Sequence, residues 1–159
     1  MASPLDREAI MTALFALVDG AFAWATSSRL LQAWSSVASF PAMYVVHLSD
    51  RYLSSSSLST HRPTGLPPQI YLDAEVWLYT LAGPNQVPET AINQLIDVVE
   101  GALQGRPARS AQTLGGLVRH AWIDGTIAID AGHLDGKGKA VIPVRMLAPG
   151  VSPPGVAIP

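Results

Sequence analysis

No cysteine occurs among the 159 residues of the chain. That excludes a thiolate nucleophile, a cysteine-ligated zinc site and a disulfide-stapled scaffold. A domain near this size hides roughly 68–70% of its unfolded surface, so it stands without such staples. Charge is scarce as well: 14% of the residues are Asp, Glu, Lys or Arg, against the roughly 25% usual in soluble domains. Ten Lys and Arg stand against twelve Asp and Glu, leaving no basic excess to neutralise phosphates, and sequence-specific nucleic-acid binding is not expected. Although 48% of the residues are hydrophobic, no run approaches the roughly 20 uninterrupted apolar positions of a spanning helix, and no membrane partner is expected. Acidic Asp6 and Glu8 stand where a secretory leader carries basic residues, so no leader is expected either. A surface so short of charge, with no membrane to meet, is one that other protein chains cover.

The length suits one domain, and the pattern places it over residues 1–147. Ser3-Pro4-Leu5-Asp6 opens like a capping box, with Pro4 at the first helical position and acidic residues suited to the dipole. Ile10, Leu14, Leu17 and Val18 then recur at helical spacing up to Gly20, which predicts a helix over 4–19. Residues 21–34 lack a clear period, with a short strand expected around Arg29 to Trp34. After Phe40-Pro41, the aromatic and β-branched run Ala42 to Leu48 reads as a strand. Ser49 to Pro68 follows, with four consecutive serines and Pro63, Gly65, Pro67 and Pro68. A loop of that length is uncommon in a compact domain unless it has a role, which makes 49–66 a site candidate.

From Gln69 to Thr80 the period switches to two. Ile70, Leu72, Ala74, Val76 and Leu78 share one face, and Tyr71, Asp73, Glu75, Trp77 and Tyr79 the other. A second helix begins near Pro88, where Ile92, Leu95, Ile96, Val99, Ala102 and Leu103 keep helical spacing, and Gly105 and Pro107 end it. Leu117 to Ile123 and Thr126 to Asp130 read as extended, with Asp124-Gly125 as a hairpin turn or, preferred because the second segment is short, a bulge in one strand. Asp135-Gly136-Lys137-Gly138 makes a turn into a strand over Lys139 to Leu147, and Pro143 inside it demands a sheet edge or a bulge. Residues 148–159, with Pro149, Pro153, Pro154 and Pro159, are expected to form an extended tail. The class these elements predict is α+β: a mainly antiparallel sheet of four to five strands with two helices packed on one face.

The sequence resembles the tail-terminator proteins of long-tailed bacteriophages and prophages, the minor-tail-protein-U type. The likeness rests on Ala9-Ile10-Met11-Thr12-Ala13-Leu14, Phe40-Pro41-Ala42-Met43-Tyr44-Val45, Leu72-Asp73-Ala74-Glu75-Val76-Trp77-Leu78-Tyr79 and Leu134-Asp135-Gly136-Lys137-Gly138, and runs from about residue 5 to 147. It implies a virion structural protein: a homo-oligomeric ring, usually of six subunits, assembled in the host cytoplasm onto the tail tube. The ring would stop tube polymerisation and offer a surface to head-completion or neck proteins, while DNA passes through without specific binding. On that reading Arg51, Tyr52, His61, Arg62 and Trp77 are interface residues toward a neighbour or the tube. Asp73 and Glu75 are candidate channel lining, with Arg119 and Lys139 as nearby cations.

No reaction and no cofactor are expected. Asp73, Glu75 and Trp77 in one row admit a carbohydrate-binding or sugar-cleaving reading, but solvated positions beneath a partner subunit explain the alternation more simply. Asp130, His133 and Asp135 crowd oxygen and nitrogen donors together, yet their spacing matches no metal loop and turns favour the same residues. The run Asp135 to Lys139 lacks the ending of a P-loop, and no Gly-x-Ser-x-Gly elbow occurs. His47 and His120, both on expected strands, are placed to meet across the sheet. A tail-tube or neck protein is the alternative within the same class.

Overall fold

The computed structural model of the chain describes residues 5–52, 69–105 and 110–149. Ser3 and Pro4 of the expected cap, His61, Arg62 and the loop from 53 onward, Pro107, and the tail beyond Pro149 lie outside the described residues.

Helix α1 spans Arg7–Asp19 and starts later than the periodicity predicts, with Asp6 as its cap. The Asp6 carboxylate accepts from the Ala9 amide at 2.9 Å, satisfying one of the donors that every helix start leaves free. Ile10, Met11, Leu14 and Val18 form the buried stripe. Strand β1 is Thr26–Ser28, and it runs parallel to β2, Ala42–Tyr52. The strand expected at 29–34 is displaced. Trp34–Ser36 is a single 3₁₀ turn instead, and the indole Nε1 of Trp34 donates to the Thr80 carbonyl at 3.3 Å.

Strand β2 continues four residues past Leu48, through positions expected to open the long loop. Pairing with β3, Gln69–Leu81, carries it as far as Tyr52, with a register shift between His47 and Ser49. Helix α2, Pro88–Leu103, buries Ile92, Leu95, Ile96, Val99 and Leu103, the positions its spacing marks. Strands β4, His120–Ile123, and β5, Ala128–Asp130, both pair antiparallel with β6, Lys137–Pro149. They lie in line along one side of it: Ile123 faces Val144 and Ala128 faces Val141, so extra residues bulge out between them. The preferred bulge reading holds.

Pro143 sits at that bulge. Its carbonyl accepts from the Asp124 amide at 3.1 Å. In an antiparallel ladder a residue's N–H and C=O point the same way, so the donor that proline lacks is missing on the interrupted side and not toward β3. Strand β6 also reaches two residues past Leu147 into the expected tail, with Ala148 fully buried opposite Ile70 and Pro149 opposite Gln69. The spatial order is β1-β2-β3-β6-β4, with β5 also on β6: six strands where four or five were expected, mixed only because β1 is parallel. The class is α+β, and the sheet is mostly antiparallel.

Both helices cover the same face. Met43, Val45, Leu72, Val76, Leu78, Ile142, Val144 and Met146 of the sheet meet Ile10, Leu14, Ile92 and Val99 of the helices in one core. Two glycines are required by close approach. A Cβ on Gly138 would stand 2.2 Å from the Thr80 hydroxyl across the ladder, and Gly136, at φ +74°, turns the chain against Ala82. On the opposite face the described residues cover only a small cluster, where Val37, Trp34 and Phe40 lie over Ala42, Tyr44 and Tyr79. Ile142 is fully buried at the centre of the main core, and Ile142→Ala is expected to cost about 2–5 kcal/mol, read as a lowered urea midpoint.

Candidate interaction face of the sheet

The sheet surface turned away from the helices is open among the described residues over much of its extent. The ladder register places its side chains in rows across the strands. Arg51, Tyr71, Leu147 and His120 form one row, and Ser49, Asp73, Arg145 and Trp122 the next. Val46, Glu75 and Pro143 follow, then Tyr44, Trp77, Val141 and Ala128. Tyr44 is buried under the Trp34 segment, whereas Tyr71, Asp73, Glu75, Trp77, Val141, Arg145, Leu147 and Trp122 are half-buried.

The charges of Asp73, Glu75, Lys139 and Arg145 have partners within the chain. Arg145 Nε donates to Asp73 at 2.8 Å and its Nη1 lies 2.9 Å from Asp124. The hydrogen bond to Asp73 is the largest cause of an Arg145 pKa above the ordinary arginine value. The same guanidinium lies 5.1 Å from the centre of the Tyr71 ring, and Lys139 Nζ lies 5.5 Å from that of Trp77. Trp77 Nε1 donates to Glu75 at 2.8 Å. His120 stacks on Trp122 with ring centres 5.1 Å apart, and Tyr71 meets Trp122 edge-on at 6.2 Å.

This arrangement changes several sequence expectations. Asp73, Glu75 and Trp77 do share the open face, as the alternation indicates. Asp73 is not a free carboxylate, however, and Arg145 with Lys139 offsets the phosphate repulsion that a channel lining needs. Arg145, and not Arg119, supplies the main cation. The rings of Tyr71 and Trp77 each carry a cation, which leaves no clear stacking platform for a sugar. Arg51 belongs to the open face, but Tyr52 belongs to the helix side, where its hydroxyl accepts from Arg7 at 2.9 Å. His47 and His120 do not meet, since β3 and β6 stand between their strands.

The Asp130, His133 and Asp135 loop is accounted for by turn chemistry. Asp130 accepts from the Gly132 amide, Asp135 accepts from the Lys137 amide, and His133 pairs with Glu89 at 3.0 Å. Among the described residues no three His, Asp or Glu side chains gather as a metal site. A cavity of about 450 Å³ between the C-terminal ends of α1 and α2 is lined by Ala16, Gly20, Gly101, Ala102 and neighbours, none of them titratable. Another, of about 380 Å³, sets Asp130 and Asp135 beside Lys137, Lys139 and Trp34 at the surface.

No protein-family model and no curated protein matches the chain. Arg145 and Trp122, central to the face, are the residues that sequence reasoning missed. Arg145 alternates with buried Val144 and Met146, which marks its side of the sheet but not its partner.

A second ionic cluster lies on the helix side. Asp50 accepts from Arg7 of α1 and lies 2.6 Å from His47 Nε2. Burial pushes the Asp50 pKa up, but the hydrogen bonds from Arg7 and His47 outweigh it and hold the carboxyl below its ordinary value of 3.8. The folded state therefore binds fewer protons than the unfolded state in that range. The stabilisation is complete above the ordinary carboxylate pKa and is lost as the pH falls through the lowered value. Asp50→Asn is expected to cost about 1–3 kcal/mol at neutral pH and to flatten the acid limb of stability against pH, measured by urea denaturation across pH 2–7.

Proposed function

We propose that the chain is a structural subunit of a phage tail, a terminator that closes into a ring on the tail tube, stops its growth and presents a joining surface to head-completion proteins. The observation that carries this reading is the open sheet face, where half-buried aromatic and aliphatic side chains surround charges that already have partners within the chain. A protein surface meets such a face without stripping water from solitary ions. Arg51 and Trp77 lie on it, and Asp73 and Glu75 belong to the same docking surface and not to a channel wall. The four segments that resemble the terminator family fall on α1, on the entry to β2, on β3 and on the turn into β6. They are thus the elements that build the sheet and seat a helix on it.

A tube subunit shares the need for protein-covered surfaces, and self-assembly separates the two. Purified chain is expected to give closed rings by light scattering and negative-stain electron microscopy, and to cap preformed tubes of the tube protein. Open filaments grown by the purified chain would instead identify a tube subunit. A chain that neither forms rings nor binds tube ends would overturn the proposal.

A further inference from the structure

We propose that in the free protein the open sheet face docks on the same face of a second copy, about a two-fold axis that runs parallel to the strands between β3 and β6. This rests on reading the face as a protein-docking surface, and it names the protein that docks.

Charge complementarity selects the partner and the axis. The ladder sets Asp73 beside Arg145, Tyr71 beside Leu147, Glu75 beside Pro143 and Trp77 beside Val141. Rotation by half a turn about the stated axis lays β3 of one copy over β6 of the other and keeps every row at its own level. Asp73 then faces the second copy's Arg145, and Arg145 faces its Asp73. Tyr71 faces Leu147 and Trp77 faces Val141, so aromatic rings meet aliphatic side chains. Glu75 faces Pro143, and the outer columns set Arg51 over His120 and Ser49 over Trp122. No row places carboxylate on carboxylate, and Arg145 meets only a carboxylate. A two-fold axis across the strands fails this condition: it lays β3 on β3, and the column of Asp73 and Glu75 meets its own copy.

The selected axis also keeps the strands of the two sheets aligned, as face-to-face sheets prefer. Such a contact is isologous. A ring's lateral contact is heterologous and must use other surfaces; with the two-fold perpendicular to the ring axis, the two together give a dihedral assembly of two rings face to face. The face is small: four strands about 4.8 Å apart and about 20 Å of strand from Tyr71 to Trp77 give at most about 400 Å² in projection, and the Trp34 segment takes the corner at Tyr44. That is at most about half of the roughly 800 Å² per partner in a standard interface, so the pairing is expected to dissociate on dilution.

Sedimentation of wild-type protein from about 1 to 500 µM is expected to show a concentration-dependent doubling of mass, from one subunit to two or from one ring to two. No doubling over that range would overturn the proposal. The double substitution Asp73→Arg with Arg145→Asp, compared in an Asp124→Asn background for both chains so that no other carboxylate stands beside position 145, keeps the pair within each chain and keeps the cross-pairs in a dimer of itself. A mixed dimer with wild type sets Asp on Asp and Arg on Arg. Swapped and wild-type chains, differently labelled, are expected each to self-associate and to co-associate at least tenfold more weakly. Equal co-association would overturn the proposed axis. Val141→Glu, a single change near the axis and beside the second copy's Glu75, is expected to raise the dissociation constant at least tenfold. An unchanged constant in folded Val141→Glu protein would likewise overturn it. Ring closure and tube capping are read separately by electron microscopy: rings without doubling overturn only the face-to-face contact, and doubling without rings overturns only the ring.

Discussion

The pairing of β3 with β6 is the constraint on which the rest of the molecule depends. The two strands match residue for residue from Gln69 opposite Pro149 to Leu81 opposite Lys137, and each alternates buried with half-buried positions. Their combined alternation makes one face of the central sheet apolar and the other mixed. A slip of one residue would exchange the two faces. It would lift Leu72, Val76, Ile142 and Met146 out from under the helices and drive Asp73 and Arg145 beneath them. The same register sets Gly138 against Thr80, where no larger residue fits, and sets Asp73 against Arg145.

What was legible in the sequence is what carries a period. The strict alternation of β3 and the helical spacing of α2 are written in apolar positions, and the structure reproduces both nearly to the residue. Pro143 marks a sheet edge or a bulge because a missing donor is a chemical fact independent of tertiary structure, and the interior place of β6 selects the bulge. Strand β1 was misplaced because Thr26, Ser27 and Ser28 form a strand only through backbone pairing to β2, and three polar residues carry no apolar signal. The far end of β2 carries no strand signal for the same reason: Ser49 to Tyr52 are polar, and β3 holds them in the sheet. The candidate face was half legible. Its β3 column follows from alternation, but the Asp73 to Arg145 pair spans 72 positions of chain and exists only once the register is known.

Two ionic clusters lie on opposite faces of the sheet, and their surroundings give them different work. On the helix side, Arg7 reaches from α1 to Asp50, with His47 on the carboxylate's other oxygen. The pair joins helix to strand at the end of β2, and its effect appears as stability. On the open side, Arg145 lies between Asp73 and Asp124 and over Tyr71. It joins β6 to neighbours already held by backbone ladders, so the fold gains less from it than the surface does.

That difference bears on what the open face is suited to meet. A site for phosphate offers unpaired donors, and a sugar site offers a bare aromatic plane with polar groups at its rim. Here Arg145 and Lys139 are engaged by carboxylates or rings, and the indole of Trp77 is tied to Glu75. Asp73, Glu75, Lys139 and Arg145 have their partners inside the chain, which lowers what a flat, mixed surface must give up when water leaves it. Another sheet surface, or another face of similar texture, meets these conditions more closely than a small ligand does, because it matches area with area and sets opposite charges on Asp73 and Arg145 at once.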